Sequence, residues 1–140
     1  METTLAMVKP DAVAAGHLGR ILDRILKEGF RIAGVKMLRL SQGQAEGFYA
    51  VHRQCAFFAD LTRFMTSGPV VAMILERPDA IATWRRVMGA TDPAKAGDGT
   101  LRKEFGTNLE RNATHGSDAP ETAATEIAYL FNMLEIYSTD

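Results

Sequence analysis

The spacing of apolar residues switches along the chain between alternating, continuous and helical, and each switch predicts an element. Thr4–Val8 is short, apolar and partly β-branched, and Pro10 stops it, which predicts a first strand. Leu18, Ile21, Leu22, Ile25 and Leu26 then recur at helical spacing, with Arg20, Asp23, Arg24 and Lys27 on the opposite face. Gly29 stands where a helix ends in a left-handed residue. Arg31–Leu40 reads as a second strand. Ser41 and Gln44 form a capping-box pattern that opens a helix to about Val51. A further short helix is expected over Phe57–Met65, ended by Ser67-Gly68-Pro69. Val70–Leu75 is an uninterrupted apolar run, the pattern of a central strand covered on both faces. Pro78-Asp79 opens a helix through about Met88. From Gly89 to Gly106, four glycines and a proline leave no period, which predicts a long functional loop. A short strand near Asn112–His115 follows. A last helix then starts at about Pro120, with Ile127, Leu130, Phe131 and Leu134 as its buried face. The tail Ile136–Asp140 reads as extended and poorly anchored.

The resulting order is β-α-β-(α-α)-β-α-β-α. Without the extra helices it is βαββαβ, a ferredoxin-like α+β sandwich: a four-stranded antiparallel sheet with helices covering one face, plus additional helices. The 140 residues are expected to form one domain over 1–140, large enough for a proper core. A net charge of −1 gives no general attraction to nucleic acid or anionic membrane, so any anion site must be a local cluster of basic side chains. Cys55, the only cysteine, excludes an internal disulfide and a multi-cysteine metal site. Met1-Glu2-Thr3-Thr4 lacks the basic start of a signal peptide, and no apolar run approaches the roughly 18 residues of a membrane span. The expected location is the cytoplasm, without membrane contact.

Candidate chemistry concentrates in Asn112-Ala113-Thr114-His115-Gly116-Ser117-Asp118. A histidine there ends an extended run, a glycine permits a sharp turn, and two residues suited to capping a helix follow. Histidine is ordinarily about half neutral near pH 6.5 and is nucleophilic in that form. A helix N-terminus beside it would favour an anion. Local chemistry leaves two readings open, a histidine that carries a phosphoryl group and a turn histidine that hydrogen-bonds its neighbours. The usual phosphate signatures are absent: there is no G-x-x-x-x-G-K-[ST] run, and His52-Arg53-Gln54 is only superficially like a kinase catalytic loop. His17, His52 and His115 lie too far apart in sequence to suggest a zinc site. Lys9, Arg85, Thr91 and Arg102 stand at element ends or in the long loop, where with Asn112 and His115 they could line one anion cleft.

Lys9-Pro10-Asp11-Ala12-Val13, Ser67-Gly68-Pro69-Val70-Val71, Gly89-Ala90-Thr91-Asp92-Pro93, Gly99-Thr100-Leu101-Arg102 and the His115 heptapeptide resemble, in order, the motifs of nucleoside diphosphate kinases. The resemblance runs from about residue 3 to 135. It implies transfer of the γ-phosphoryl group of ATP or another NTP to a nucleoside or deoxynucleoside diphosphate, maintaining NTP and dNTP pools, by a ping-pong route through a pros-phosphohistidine at His115. It also implies that Lys9, Arg85, Thr91 and Arg102 contact phosphates, that Asn112 contacts the sugar, and that Phe57 stacks on the base. Tyr49, Ser117 and Glu126 would form the supporting shell, with the glutamate orienting the histidine. Mg²⁺ would be held by nucleotide phosphates and water rather than by a protein cage, and a homo-oligomer (dimer, tetramer or hexamer) is expected. No specific nucleic acid is expected as a partner, since an RNP-like aromatic motif is missing. Two departures stand out: Cys55-Ala56 precedes Phe57 where relatives commonly carry proline, and the C-terminus is short. His17 and His52 match no functional position and read as surface residues.

Overall fold

A computed structural model describes residues 1–137 of the chain. In order it runs β1 (Glu2–Val8), α1 (Pro10–Ala14), α2 (Leu18–Lys27), β2 (Arg31–Leu38), α3 (Gln42–Phe48), α4 (Phe58–Met65), β3 (Val70–Arg77), α5 (Ala80–Met88), α6 (Leu101–Phe105), β4 (Thr114–Gly116) and α7 (Pro120–Leu130). Three 3-10 turns, Ala50–His52, Pro93–Lys95 and Met133–Glu135, fill gaps between them. The strands form one sheet in the order β2-β3-β1-β4, with every neighbouring pair antiparallel. This is the expected ferredoxin-like arrangement.

The continuous apolar runs of β1 and β3 are explained by burial on two sides. Leu5, Met7, Val70, Ala72 and Ile74 face one core, closed by α3, α4 and the end of α7. Ala6, Val8, Val71, Met73 and Leu75 face the other, closed by α1, α2, α5 and α6. The βαββαβ helices α2 and α5 thus lie on one face, and the additional helices α3, α4 and α7 cover the opposite one. Alternate residues of one strand serve opposite cores because strand side chains alternate in direction.

Local signals act where the sequence places them. Gly29, at φ +83°, ends α2 in a full Schellman motif: its N–H donates to the Leu26 carbonyl and that of Phe30 to the Ile25 carbonyl. The capping box of α3 forms as expected, with Gln44 N–H on Ser41 Oγ at 3.1 Å and Ser41 N–H on Gln44 Oε1 at 2.8 Å. That helix stops at Phe48 rather than Val51, and the 3-10 turn Ala50–His52 follows. Leu26 is exposed rather than part of the buried face of α2.

Three expectations are corrected. The Gly89–Gly106 stretch is not structureless. Asp92 caps its 3-10 turn, and Thr100 caps α6, a helix too short for its two buried anchors, Leu101 and Phe105, to show a period. The last helix ends at Leu130, and Leu134 is exposed rather than buried, because the Asn132 side chain starts a new turn by accepting the Leu134 N–H at 2.9 Å. The start of the tail is anchored: Tyr137 N–H donates to the Ala33 carbonyl of β2 at 2.7 Å, and Arg31 Nη2 to the Tyr137 carbonyl at 2.6 Å. The rest of that expectation, 138–140, lies outside the described residues.

Packing is tight where β4 meets α5. A Cβ on Gly116 would lie 2.5 Å from Trp84 Cδ1 and 2.7 Å from Met88 Cε, and Trp84 is fully buried. Gly116→Ala is therefore expected to cost about 1–3 kcal/mol through overpacking. Differential scanning calorimetry should record a fall of several degrees in Tm.

Candidate active site

The centre of the site is set by backbone geometry just before His115. Ala113 has φ +74°, and the Thr114 N–H donates to the Asn112 carbonyl at 2.9 Å, the geometry of the rare, strained γ-turn. Contacts on both sides impose it. Ala113 N–H donates to Asp11 Oδ2 at 3.1 Å, and the Ala113 carbonyl accepts the Lys9 N–H at 2.8 Å. The chain then enters β4, where His115 is paired with Met7 of β1. The indole of Trp84 donates to the His115 carbonyl at 3.1 Å.

The imidazole is fixed as firmly as its backbone. Its Nε2 lies 3.0 Å from Glu126 Oε1, and the same oxygen accepts the Ser117 hydroxyl at 2.8 Å. An ionised carboxylate only accepts, so the ring proton belongs on Nε2 and Nδ1 keeps a lone pair. Phe48 and Tyr49 meet the ring edge-on at centroid distances of 5.2 and 6.1 Å. The Tyr49 hydroxyl is buried without a hydrogen-bond partner among the described residues. Burial, and secondarily the charge of Glu126, push its pKa above the usual phenol range and keep it protonated. Ser117 and Asp118 do not cap α7 as the sequence suggests. Ser117 turns inward to Glu126, while the Thr122 hydroxyl accepts the N–H groups of Asp118 and Ala119.

Basic side chains converge on the same place. Lys9, at the end of β1, is buried and donates from Nζ to Asn112 Oδ1 at 2.8 Å, while Asn112 Nδ2 donates to the Thr91 carbonyl at 3.1 Å. Burial first, then the charge of Arg102, lower the Lys9 pKa from 10.5 to about 8, and Asp11 and Glu110 oppose the shift. Arg102 of α6 is also buried, and spans the Gly89 carbonyl at 3.0 Å and the Thr114 carbonyl at 2.9 Å. Its Nε has no partner among the described residues, and burial together with Arg85 lowers its pKa to about 10. Arg85 of α5 is exposed and ion-paired with Asp118.

All these groups open onto one cleft of about 970 Å³. Lys9, Tyr49, Phe57, Arg85, Thr91, Arg102, Asn112, His115 and Glu126 line it; Ser117 stands behind Glu126. Every residue singled out from the sequence is thus brought to one place. His52, read there as a surface residue, is half-buried in the cleft wall, edge-on to Phe57 at 5.4 Å. His17 is half-buried too, but away from the cleft, with its ring 4.5 Å from that of Phe105. Phe48, Leu109 and Glu110 also line the cleft. For Phe48 the sequence signal was only an apolar helix position, and for the other two there was none. Cys55 is free, as a single cysteine must be within one chain, and it is exposed. Among the described residues no helix is long and apolar enough to cross a membrane.

The arrangement, a tautomer-fixed imidazole beside buried cations in a nucleotide-sized cleft, suits phosphoryl chemistry, and known proteins place it. The family model for nucleoside diphosphate kinase matches residues 2–136. The nucleoside diphosphate kinase of Syntrophotalea carbinolica is 62% identical over 97% of this chain and 99% of its own length. That of Desulfotalea psychrophila is 59% identical over the same shares. The solved Aquifex aeolicus nucleoside diphosphate kinase superposes with a TM-score of 0.95 at 48% identity, covering 96% of this chain and 98% of that one. A Halobacterium salinarum nucleoside diphosphate kinase, solved in complex with CDP, gives 0.95 at 40% identity, covering 99% of this chain and 93% of its own. With the match spanning the strand that carries His115 and every element around the cleft, the chain belongs to the nucleoside diphosphate kinase family.

Proposed function

We propose that the cleft transfers the γ-phosphoryl group of a nucleoside triphosphate to a nucleoside or deoxynucleoside diphosphate through a phosphohistidine at His115. The observation that carries this reading is the Glu126 contact with Nε2, which leaves Nδ1 as the ring's nucleophile. In the first step the Nδ1 lone pair attacks the γ-phosphorus, the new N–P bond forms, and the bond to the bridging oxygen breaks with its electron pair leaving on the diphosphate. The ring stays protonated at Nε2, and its positive charge is balanced by Glu126. In the second step a terminal oxygen of another diphosphate attacks the same phosphorus and the N–P bond breaks, restoring neutral His115. One cleft serves both steps because they are mirror images.

Lys9, Arg85 and Arg102 are placed to stabilise negative charge spread over the transferring group, a role of position rather than covalent chemistry. Thr91 adds a phosphate contact at the rim, Asn112 reaches the sugar, and Phe57 offers a face for the base. Glu126, Ser117 and Tyr49 position the imidazole. A divalent cation, Mg²⁺ in this reading, neutralises phosphate charge when it enters with the nucleotide. It would be held by phosphate and water oxygens, the ligands Mg²⁺ usually keeps, rather than by protein side chains. Assembly into a homo-oligomer is supported by the edge position of β2, which exposes Val35 and Met37. The cytoplasm is the proposed location.

The reading is tested with ATP and dTDP at several concentrations of each: parallel double-reciprocal lines are expected, and intersecting lines would mean direct transfer in a ternary complex. His115→Asn should abolish both turnover and labelling by [γ-³²P]ATP; base-stable phosphorylation surviving in that variant would refute the assignment.

The two arginines should respond differently. Arg85→Ala is expected to lower kcat/KM roughly 10²-fold with Tm unchanged, since its one ion pair is exposed. Arg102→Ala should lower both, because two buried carbonyls lose their donor.

A third expectation concerns pH. Because burial holds Lys9 near pKa 8 and a bound phosphate favours its charged form, diphosphate binding should weaken as pH rises through about 8 and be accompanied by proton uptake above it. Calorimetry in buffers of different ionisation enthalpy reads the uptake, and Lys9→Arg should remove it.

A further inference from the structure

Arg102 is a buried cation of the cleft, yet the helix that carries it is only five residues long. A helix of that length does not hold itself in water, so whatever fixes the start of α6 also decides where the guanidinium points. From within the loop the start is held by Thr100, whose hydroxyl accepts the Lys103 N–H at 3.3 Å and donates to the Gly97 carbonyl at 2.7 Å. Thr100 also packs directly on Gly89: a Cβ on that glycine would lie 2.6 Å from Thr100 Cβ. Gly89 in turn offers its carbonyl to Arg102 Nη1 at 3.0 Å. A shift of Thr100 therefore moves both the helix and one of the two acceptors that seat the arginine.

One side chain holds this corner from outside the loop. Arg24 of α2 donates from Nη1 to the Gly99 carbonyl at 2.6 Å. Among the described residues, every other hydrogen bond of 92–100 stays within 92–104. Arg24 is itself firmly aimed: its Nε lies 2.8 Å from Glu28 Oε2, an i,i+4 ion pair on the same helix. The fully buried Ile21 and Ile25 seat α2 in the core, so the donor belongs to a fixed element. The apolar spacing of α2 puts Arg24 on its polar face, where a solvated charge is the ordinary outcome. The structure leaves it half-buried and turned to the loop instead, outside the cleft wall.

We propose that Arg24 is a positioning residue for phosphoryl transfer: by holding the Gly99 carbonyl it fixes Thr100 and the start of α6, and so keeps the Arg102 guanidinium aimed at the phosphates. This rests on the reading of Arg102 as a phosphate contact given above. Arg24 touches no reacting atom, and its effect passes through the backbone to Arg102. Arg85, on α5, is held by Asp118 instead and stands outside that chain of contacts.

The test is a pair of double-mutant cycles on the full chain, read by calorimetric affinity for ADP and by the single-turnover rate of phosphohistidine formation from ATP, well below the Tm of every variant. Arg24→Met keeps the stem and removes the donor; each readout should fall on the order of tenfold, within the loss that a misplaced contact can cause. In the Arg102→Ala background Arg24→Met should add nothing, whereas with Arg85→Ala the two losses should multiply. Arg102→Gln, which can still donate to one carbonyl, supplies the same background should Arg102→Ala fold poorly. Wild-type affinity and rate in Arg24→Met overturn the proposal. So does a loss that Arg102→Ala does not selectively abolish, the outcome if Arg24 merely supports the fold. The ADP affinity tests Arg24 without turnover; ADP binding by the wild type without phosphohistidine would refute the kinase reading and not this one.

Discussion

The contact between Glu126 and Nε2 of His115 is the constraint on which the rest of the site depends. It joins a residue of α7 to one of β4, and Ser117, bonded both to Glu126 and to the backbone of β1, ties the pair into the sheet. A histidine ring on a three-residue strand could otherwise rotate and exchange its tautomers. With the carboxylate fixed, one nitrogen is a donor and the other keeps its lone pair, so a side chain with two interchangeable nitrogens presents a single directed one. The aromatic edges of Phe48 and Tyr49 limit rotation on the remaining side.

The cationic half of the cleft is organised by a different compromise. Lys9 and Arg102 are buried, which raises the free energy of their charged forms, and each partly neutralises that cost with protein acceptors: Asn112 for the lysine, two main-chain carbonyls for the arginine. These bonds also hold the γ-turn, α6 and the end of β1 in mutual register. The charges are therefore in place before a ligand arrives, and little reorganisation is required when one does.

The fold was legible in the sequence wherever burial left a long periodic record. Val70–Leu75 announced a strand covered on both faces, Leu18–Ile25 a helix that Gly29 ends, and Ser41 with Gln44 the start of α3. It was illegible where an element is too short to repeat its 3.6-residue period, as with the five-residue α1 and α6, and where a side chain within the helix, rather than one preceding it, holds the entry N–H groups, as Thr122 of α7 does for Asp118 and Ala119. The site followed the same division. His115, Lys9 and Arg102 stand in ordered motifs, and the roles of Arg85 and Glu126 followed from the resemblance those motifs carry, whereas His52, Leu109 and Glu110 reach the cleft only because turns of the backbone carry them there, and a turn leaves no spacing to read.

Ala113 carries a further implication. An alanine at positive φ sits in a conformation costing of the order of 1 kcal/mol, a cost that glycine would not incur. Glycine there would be free of that cost but would give up the methyl that Ala113 buries in the core and would add backbone freedom to the unfolded chain, each an effect of similar size. The opposing effects nearly cancel in stability, so what alanine secures at this one position is stiffness of the backbone that leads into the strand of His115, a property that a screen for stability alone would not register.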